Sequence, residues 1–272
     1  MTATPHLPPT PIAKDTFLIH DHEPRGDEPV TITLNSMVIR AAEAVVVDTG
    51  VAASEEQYLA DVFSLVDPED IRWVFISHDD IDHTGSLNAL IAAAPNATAV
   101  INWFIGKRMG DTLDIPIHRQ RWLGDGESLD VGDRVLQAVR PPVYDSPTTR
   151  GLYDPSTGVY WSSDSFATPV LEPVPTVDEL PTEMWLGGIN TFDRYVSPWL
   201  ELVDERRFQA TVDRIERLAP SAIVGCHTPV IAGDRVAQAI AATRLSPNAA
   251  IQPQPDQSVL DQIQRALGDL AA

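Results

Sequence analysis

Residues 77–85 read Ser-His-Asp-Asp-Ile-Asp-His-Thr-Gly (SHDDIDHTG) and follow the apolar run Trp73-Val74-Phe75-Ile76 without a break. Six consecutive positions, 78–83, hold two histidines and three aspartates. The apolar run has the composition of a buried strand. A strand passing straight into that much charge has to turn tightly at its end, and Thr84-Gly85 with a helix beginning near Ser86 supplies the turn. His78, Asp80, Asp82 and His83 can then face one centre, an arrangement that is costly to bury unless a cation sits among the carboxylates. Taken alone, the stretch also reads as a solvated acidic loop.

Three distant residues weigh against that second reading. Asp145 follows Pro141-Pro142-Val143-Tyr144, Asp164 follows Tyr160-Trp161-Ser162-Ser163, and His227 follows Ile223-Val224-Gly225 and Cys226. Each stands where a strand gives way to a loop, and strand ends along one edge of a rigid scaffold can converge. Other strands are expected at 17–19, 30–34, 37–39, 44–47, 98–101, 128–130, 135–139, 151–153, 159–162 and 222–225, with a turn at 154–158. Helices are expected from Ser54, as N-cap, with Tyr58, Leu59, Val62 and Phe63 toward the core, over 86–94 up to Pro95, and over 205–218 through Phe208, Val212, Ile215 and Leu218. Two β-rich halves, each followed by helices, predict two sheets packed face to face with helices outside. No linker divides the chain. Residues 1–14, with Pro5, Pro8, Pro9 and Pro11, read as a loose Pro-rich lead-in, residues 15–272 as a single domain, and 246–258 as a loop before a last helix.

With 272 residues the chain can bury a substantial core. A formal net charge of −20 repels phosphate backbones and anionic lipid, so neither nucleic acid nor membrane is an expected partner. No apolar run reaches the roughly 18 residues that cross a bilayer. The single Cys226 can form no intramolecular disulfide, and Met1 leads into prolines rather than a signal segment, so a reducing, cytoplasmic setting is expected.

In order and spacing these residues resemble the metallo-β-lactamase fold, and within it the diiron domain of the flavodiiron proteins. That family's pattern is His-x-Glu-x-Asp-His, then a histidine, a bridging aspartate and a last histidine; here it reads His78-x-Asp80-x-Asp82-His83, Asp145, Asp164, His227. Supporting stretches are GDGESLDVG at 124–132, SDSF at 163–166 and GCHTPV at 225–230, and the resemblance runs from about Asp15 to Gly233. It implies an α/β fold of two mixed β-sheets flanked by helices, an αββα sandwich. It also implies two metals: one held by His78, Asp80, Asp145 and Asp164, the other by Asp82, His83, Asp164 and His227, with Asp164 bridging. Asp80 shortens the family's Glu by a methylene, and Asp145 stands where relatives carry His, so it either ligates directly, ligates through water, or leaves a position open. Tyr195 and Trp199, in a segment that resembles one near the family's metals, are candidates for supporting the ligands from behind or covering the site as a lid; core packing is the alternative. His6, His20, His22 and His118 read as surface or structural histidines, and Cys226 as a buried thiol.

Three histidines and four carboxylates suit two irons better than zinc, with manganese or zinc as alternatives. The expected function is that of a non-haem diiron protein that binds, reduces or activates O2 or NO. In the flavodiiron proteins a flavodoxin-like domain delivers electrons, and the residues after His227 lack a strand followed by a phosphate-cradling loop. No flavin is therefore expected in this chain, and electrons would come from a substrate or an external donor such as a flavin reductase. The alternatives are a dinuclear hydrolase acting on a small-molecule substrate and a non-catalytic O2 sensor. The resemblance also implies a homodimer.

Overall fold

The computed structural model describes residues 6–24, 30–251 and 253–270. Along the chain come β1 (Thr10–Ala13), β2 (Thr16–Ile19), β3 (His22–Pro24), β4 (Thr31–Thr33), β5 (Ser36–Ile39) and β6 (Ala44–Val47). Then follow α1 (Glu55–Leu65), β7 (Ile71–Phe75), α2 (Ile81–Thr84), α3 (Leu87–Ala93), β8 (Thr98–Ile101), α4 (Trp103–Met109) and β9 (Gln120–Trp122). The second half holds β10 (Ser128–Asp130), β11 (Val135–Val139), β12 (Gly151–Asp154), β13 (Val159–Trp161), α5 (Thr182–Val196), α6 (Glu205–Leu218), β14 (Ala222–Gly225), β15 (Thr228–Ala232), α7 (Asp234–Thr243) and α8 (Gln257–Leu270).

One sheet runs β1-β2-β5-β6-β7-β8-β9 and the other β10-β11-β12-β13-β14-β15, with β3 and β4 as a separate two-stranded ribbon. Both sheets are mixed: β6, β7, β8 and β9 are parallel neighbours in the first, and β13 and β14 are parallel in the second. The two-residue period of a strand sorts its side chains between two interiors. Val45, Val47 and Phe75 enter the core between the sheets, where they share a cluster with Leu136, Leu152, Trp161 and Val224. Val46 and Val74 face outward onto Tyr58, Val62, Leu87 and Leu90 of α1 and α3. On the far side Tyr160, Ile223 and Ile231 meet Trp185 and Ile189 of α5, Phe208 and Val212 of α6, and Val236 of α7. Strands covered on both faces read as unbroken apolar runs, which is why 44–47 and 222–225 show no polar alternation. The architecture is the αββα sandwich.

Three local readings differ from this structure. Thr10–Ala13, inside the stretch read as a loose lead-in, pairs antiparallel with β2, while Pro5 lies outside the described residues. Ser54 stands at the N-cap of α1 as expected, but its hydroxyl makes no capping hydrogen bond. Helix α5 covers residues taken for a segment near the metals. Its Gly187-Gly188 pair disguises it, yet a Cβ at Gly188 would meet the Thr168 hydroxyl oxygen at 1.9 Å, so the glycine lets the helix approach the loop after β13 closely.

Candidate metal centre

Parallel pairing decides where the polar residues go. β6 ends at Val47 before Asp48, and its parallel neighbour β7 ends at Phe75, shortly before Ser77 and His78. In the other sheet β13 ends at Trp161, before Ser163 and Asp164, and its parallel neighbour β14 ends at Gly225, before Cys226 and His227. Ligand sites of α/β sheets form outside the carboxyl ends of such strands. Here two of these edges, one from each sheet, come together.

All seven residues singled out by the sequence lie at this junction. The carboxylate of Asp164 spans it: Oδ2 is 3.3 Å from His78 Nε2, while Oδ1 is 2.9 Å from His83 Nε2 and 3.5 Å from His227 Nε2. His78 Nε2 also lies 3.7 Å from Asp80 Oδ2 and 3.9 Å from Asp145 Oδ1. At the other end Asp82 Oδ2 is 3.2 Å from His227 Nε2 and 3.8 Å from His83 Nε2. The donors thus fall into two groups that share Asp164. The first group is the more open: the Asp80 side chain is 43% exposed, against 23% for Asp82 and 7% for Asp164.

Each imidazole is turned by a partner on its other nitrogen. His83 Nδ1 lies 2.9 Å from Asp48 Oδ2, His227 Nδ1 is 2.8 Å from the Thr33 carbonyl oxygen, and His78 Nδ1 is 3.1 Å from Ser163 Oγ. With Nδ1–H donating to Asp48 and to Thr33, the Nε2 lone pairs of His83 and His227 are left facing the cluster. Asp48 was missed by the sequence reading. Its carboxylate accepts from Ser77 N at 2.6 Å, Ser77 Oγ at 2.6 Å and Trp161 Nε1 at 3.0 Å besides His83. Both Asp48 and Ser163 have positive φ, near 55°, an uncommon conformation that recurs at functional sites. The signal was available: Asp48 directly follows Val45-Val46-Val47, the same strand-end position that marked Asp164.

The charge balance of the cluster calls for a cation. Burial and the adjacent His83 act to lower the His78 imidazole, but Asp164 and Asp80 outweigh them and push it up to about 10. His83 and His227 are likewise raised, against the opposing effect of burial, by Cys226 and Asp164. Burial, followed by the charge of Asp164, raises Asp145 toward its neutral form. The imidazoles are thus drawn toward taking protons to offset the carboxylates, and a metal ion supplies the same charge without them. The Nε2 atoms of His78 and His83 and Oδ1 of Asp164 are buried without a hydrogen bond of good geometry, short as the last contact is. Buried polar atoms in native proteins find partners, and the donor set fits metal.

Cys226 enters the site as well. Donor atoms of Asp82, His83, Cys226 and His227 all lie within 4.8 Å of one another, so the thiol read as bystander is within range of the second group. Tyr195 and Trp199 differ in their relation to the cluster. Tyr195 is 37% exposed, and no hydrogen bond or ring contact ties it to the cluster among the described residues. Trp199 Nε1 donates to the Tyr144 carbonyl at 2.9 Å, so it stands behind the candidate ligand Asp145 and holds the backbone before it. The ring that touches the cluster is Phe192, 5.5 Å between centroids from His227; an α-helix was not read there, so its inward face went unnoticed. His6 pairs with Asp61 at 2.9 Å, and His20 is 2.8 Å from Thr10 Oγ1, both away from the cluster.

A family model described as "ODP family beta lactamase" matches residues 32–228. The chain belongs to this family. Its fold is the metallo-β-lactamase-like core of flavodiiron proteins. The rubredoxin oxygen:oxidoreductase of Desulfovibrio gigas has a TM-score of 0.76 at 19% identity, over 88% of this chain and 61% of that one. A flavodiiron protein from Giardia intestinalis has a TM-score of 0.77 at 17% identity, over 89% and 60%. The putative diflavin flavoprotein A 1 of Nostoc sp. (strain PCC 7120) is 28% identical over 204 residues, which are 73% of this chain and 34% of the relative. The ODP-family chain spans roughly a quarter to a third of the length of the curated relatives it matches. No helix among its described residues is long and apolar enough to cross a membrane.

Proposed function

We propose that this chain holds two iron ions and binds, reduces or activates O2 or NO, with electrons from a separate donor or from its substrate. The observation that carries the reading is Asp164, whose two oxygens face opposite donor groups in a set of seven residues with four carboxylates and three imidazoles. His78, Asp80, Asp145 and Asp164 would hold one ion and Asp82, His83, Asp164 and His227 the other. Bound there, the pair would supply a redox centre able to accept a diatomic molecule and pass electrons to it. The protein's own part is to fix donors. Asp48 and Thr33 lock the tautomers of His83 and His227, and Phe192 covers the His227 side.

The test is metal analysis and absorption spectroscopy on protein purified without oxygen, followed by O2 uptake with a chemical reductant. Two irons and sustained uptake support the reading; irons that take up one equivalent and stop point to a carrier or sensor. A second reading has an observation of its own. A soft thiol at Cys226, within range of Asp82, His83 and His227, suits zinc, and a zinc pair can activate water for ester or phosphoester hydrolysis. Two zincs with esterase or phosphodiesterase activity would replace the first reading with this one.

A further inference from the structure

Asp79 is the aspartate of the 77–85 loop that joins none of the donor groups. Its side chain is nonetheless buried, and its carboxylate is fully engaged. Oδ1 accepts from Thr148 Oγ1 at 2.6 Å and from Ser146 Oγ at 3.1 Å; Oδ2 takes the Arg108 guanidinium of α4. The two hydroxyls are also 2.8 Å from each other. Both belong to the turn that follows Asp145. On the other side of Asp145, the Tyr144 carbonyl accepts from Ser197 Oγ and from Trp199 Nε1, each at 2.9 Å. Asp145 is therefore held between two pinned neighbours, although it lies on a loop rather than on a strand.

We infer that Asp79 is a positioning residue for Asp145: it clasps the Ser146–Thr148 turn to the His78 loop and so builds the more open of the two metal positions. This rests on the dinuclear reading above. An acidic donor in the interior of a loop contributes to affinity only if the loop arrives in place, and a clasp formed before binding removes the cost of ordering it. Arg108 anchors the clasp from outside the site, so the three-way contact joins α4, the His78 loop and the Asp145 turn.

The experiment is stepwise loading of the whole metal-free chain with Co2+ under anaerobic conditions, followed by calorimetry and by visible absorption of the bound ion. Wild type is expected to take two ions. Asp79→Ala is expected to take one with unchanged affinity and the other about 10- to 100-fold more weakly, the range for loss of a residue that orients a metal ligand. Thr148→Val, which removes one hydroxyl from a buried site, is expected to weaken the same ion in part and carries the test if Asp79→Ala does not fold. Asp145→Ala identifies which absorption feature belongs to that position. Two ions bound as tightly in both clasp variants as in wild type, or both weakened equally in a native fold, overturn the inference. A wild-type chain that takes no pair of ions at all defeats the dinuclear reading instead.

Discussion

Asp48 accepts from four donors with one carboxylate, and one of them is the imidazole of His83. Asp48→Asn keeps the shape but supplies an NH2 where an acceptor is needed. Metal affinity is expected to fall about 10- to 100-fold, read by titration. Stability is expected to drop by about 1–3 kcal/mol, read by denaturant unfolding, because Ser77 and Trp161 lose a charged acceptor. Asp145 carries a different lesson: its charge is legible in the sequence, whereas whether it ligates directly is not. It puts a carboxylate where the family pattern has neutral imidazole, and a negative ligand favours the higher oxidation state. Asp145→His is expected to raise the reduction potential of a bound iron pair; a redox titration that shows it lowered or unmoved counts against this. His78, Asp164 and His227 were legible as candidates because each follows closely on an apolar strand. Asp80, Asp82, His83 and Asp145 lie in loop or short-helix positions, with β11 ending as early as Val139, and were read as ligands from the family pattern. Sequence did not place Ser163, Asp79 or Phe192, whose roles depend on partners 85, 69 and 35 residues away.

Elements enter through how closely they approach. Gly85 has ordinary helical backbone angles, and its necessity comes from crowding: a Cβ there would lie 2.3 Å from Ala52 N and 2.6 Å from the Gly50 carbonyl oxygen. Gly85 N also donates to that carbonyl at 2.8 Å, which joins the end of α2 to the loop after Asp48. Gly85→Ala is expected to cost on the order of 3 kcal/mol and to reduce loading at both ions, since it moves His83 and Asp48 apart. Helix α5 supplies a pH dependence unrelated to metal. Burial raises the Asp193 carboxyl to about 7, against a hydrogen bond of 2.5 Å from Ser246 Oγ that favours its ionised form. With the folded value above the unfolded one, the stability Asp193 lends is complete in acid and is lost as pH rises through about 7. Asp193→Asn is expected to flatten that decline, measured as unfolding free energy across the interval. The reading of α1 and α6 as helices rested on their apolar spacing, and that of α3 on the stop at Pro95. α5 was missed because Gly188 breaks the pattern of helix formers for a packing reason, contact with Thr168, that only the folded chain displays.

At the scale of the whole molecule, residues of both sheets must be held in register at one edge. His78 and His83 follow β7 of the first sheet, while Asp164 and His227 follow β13 and β14 of the second. Cations placed between them would tie the sheets together, so loaded protein is expected to melt several degrees above the metal-free form, and Asp164→Ala is expected to abolish most of that gain in a thermal scan. The sandwich was legible because strands packed between its three apolar interiors show as apolar runs. The junction was legible only in outline, since nothing in linear order says which strands are parallel neighbours, and it is the parallel pairs β6–β7 and β13–β14 that bring the charged ends together.

The cluster's uneven cover, with Asp80 at 43% exposure beside a bridging carboxylate at 7%, bears on lability. Ions at the two positions should leave at different speeds. A chelator is expected to strip the Asp80 side within a fast phase and the Asp82 side in a slow one, so that a half-depleted sample is a population of uniformly one-ion molecules rather than a mixture of full and bare ones.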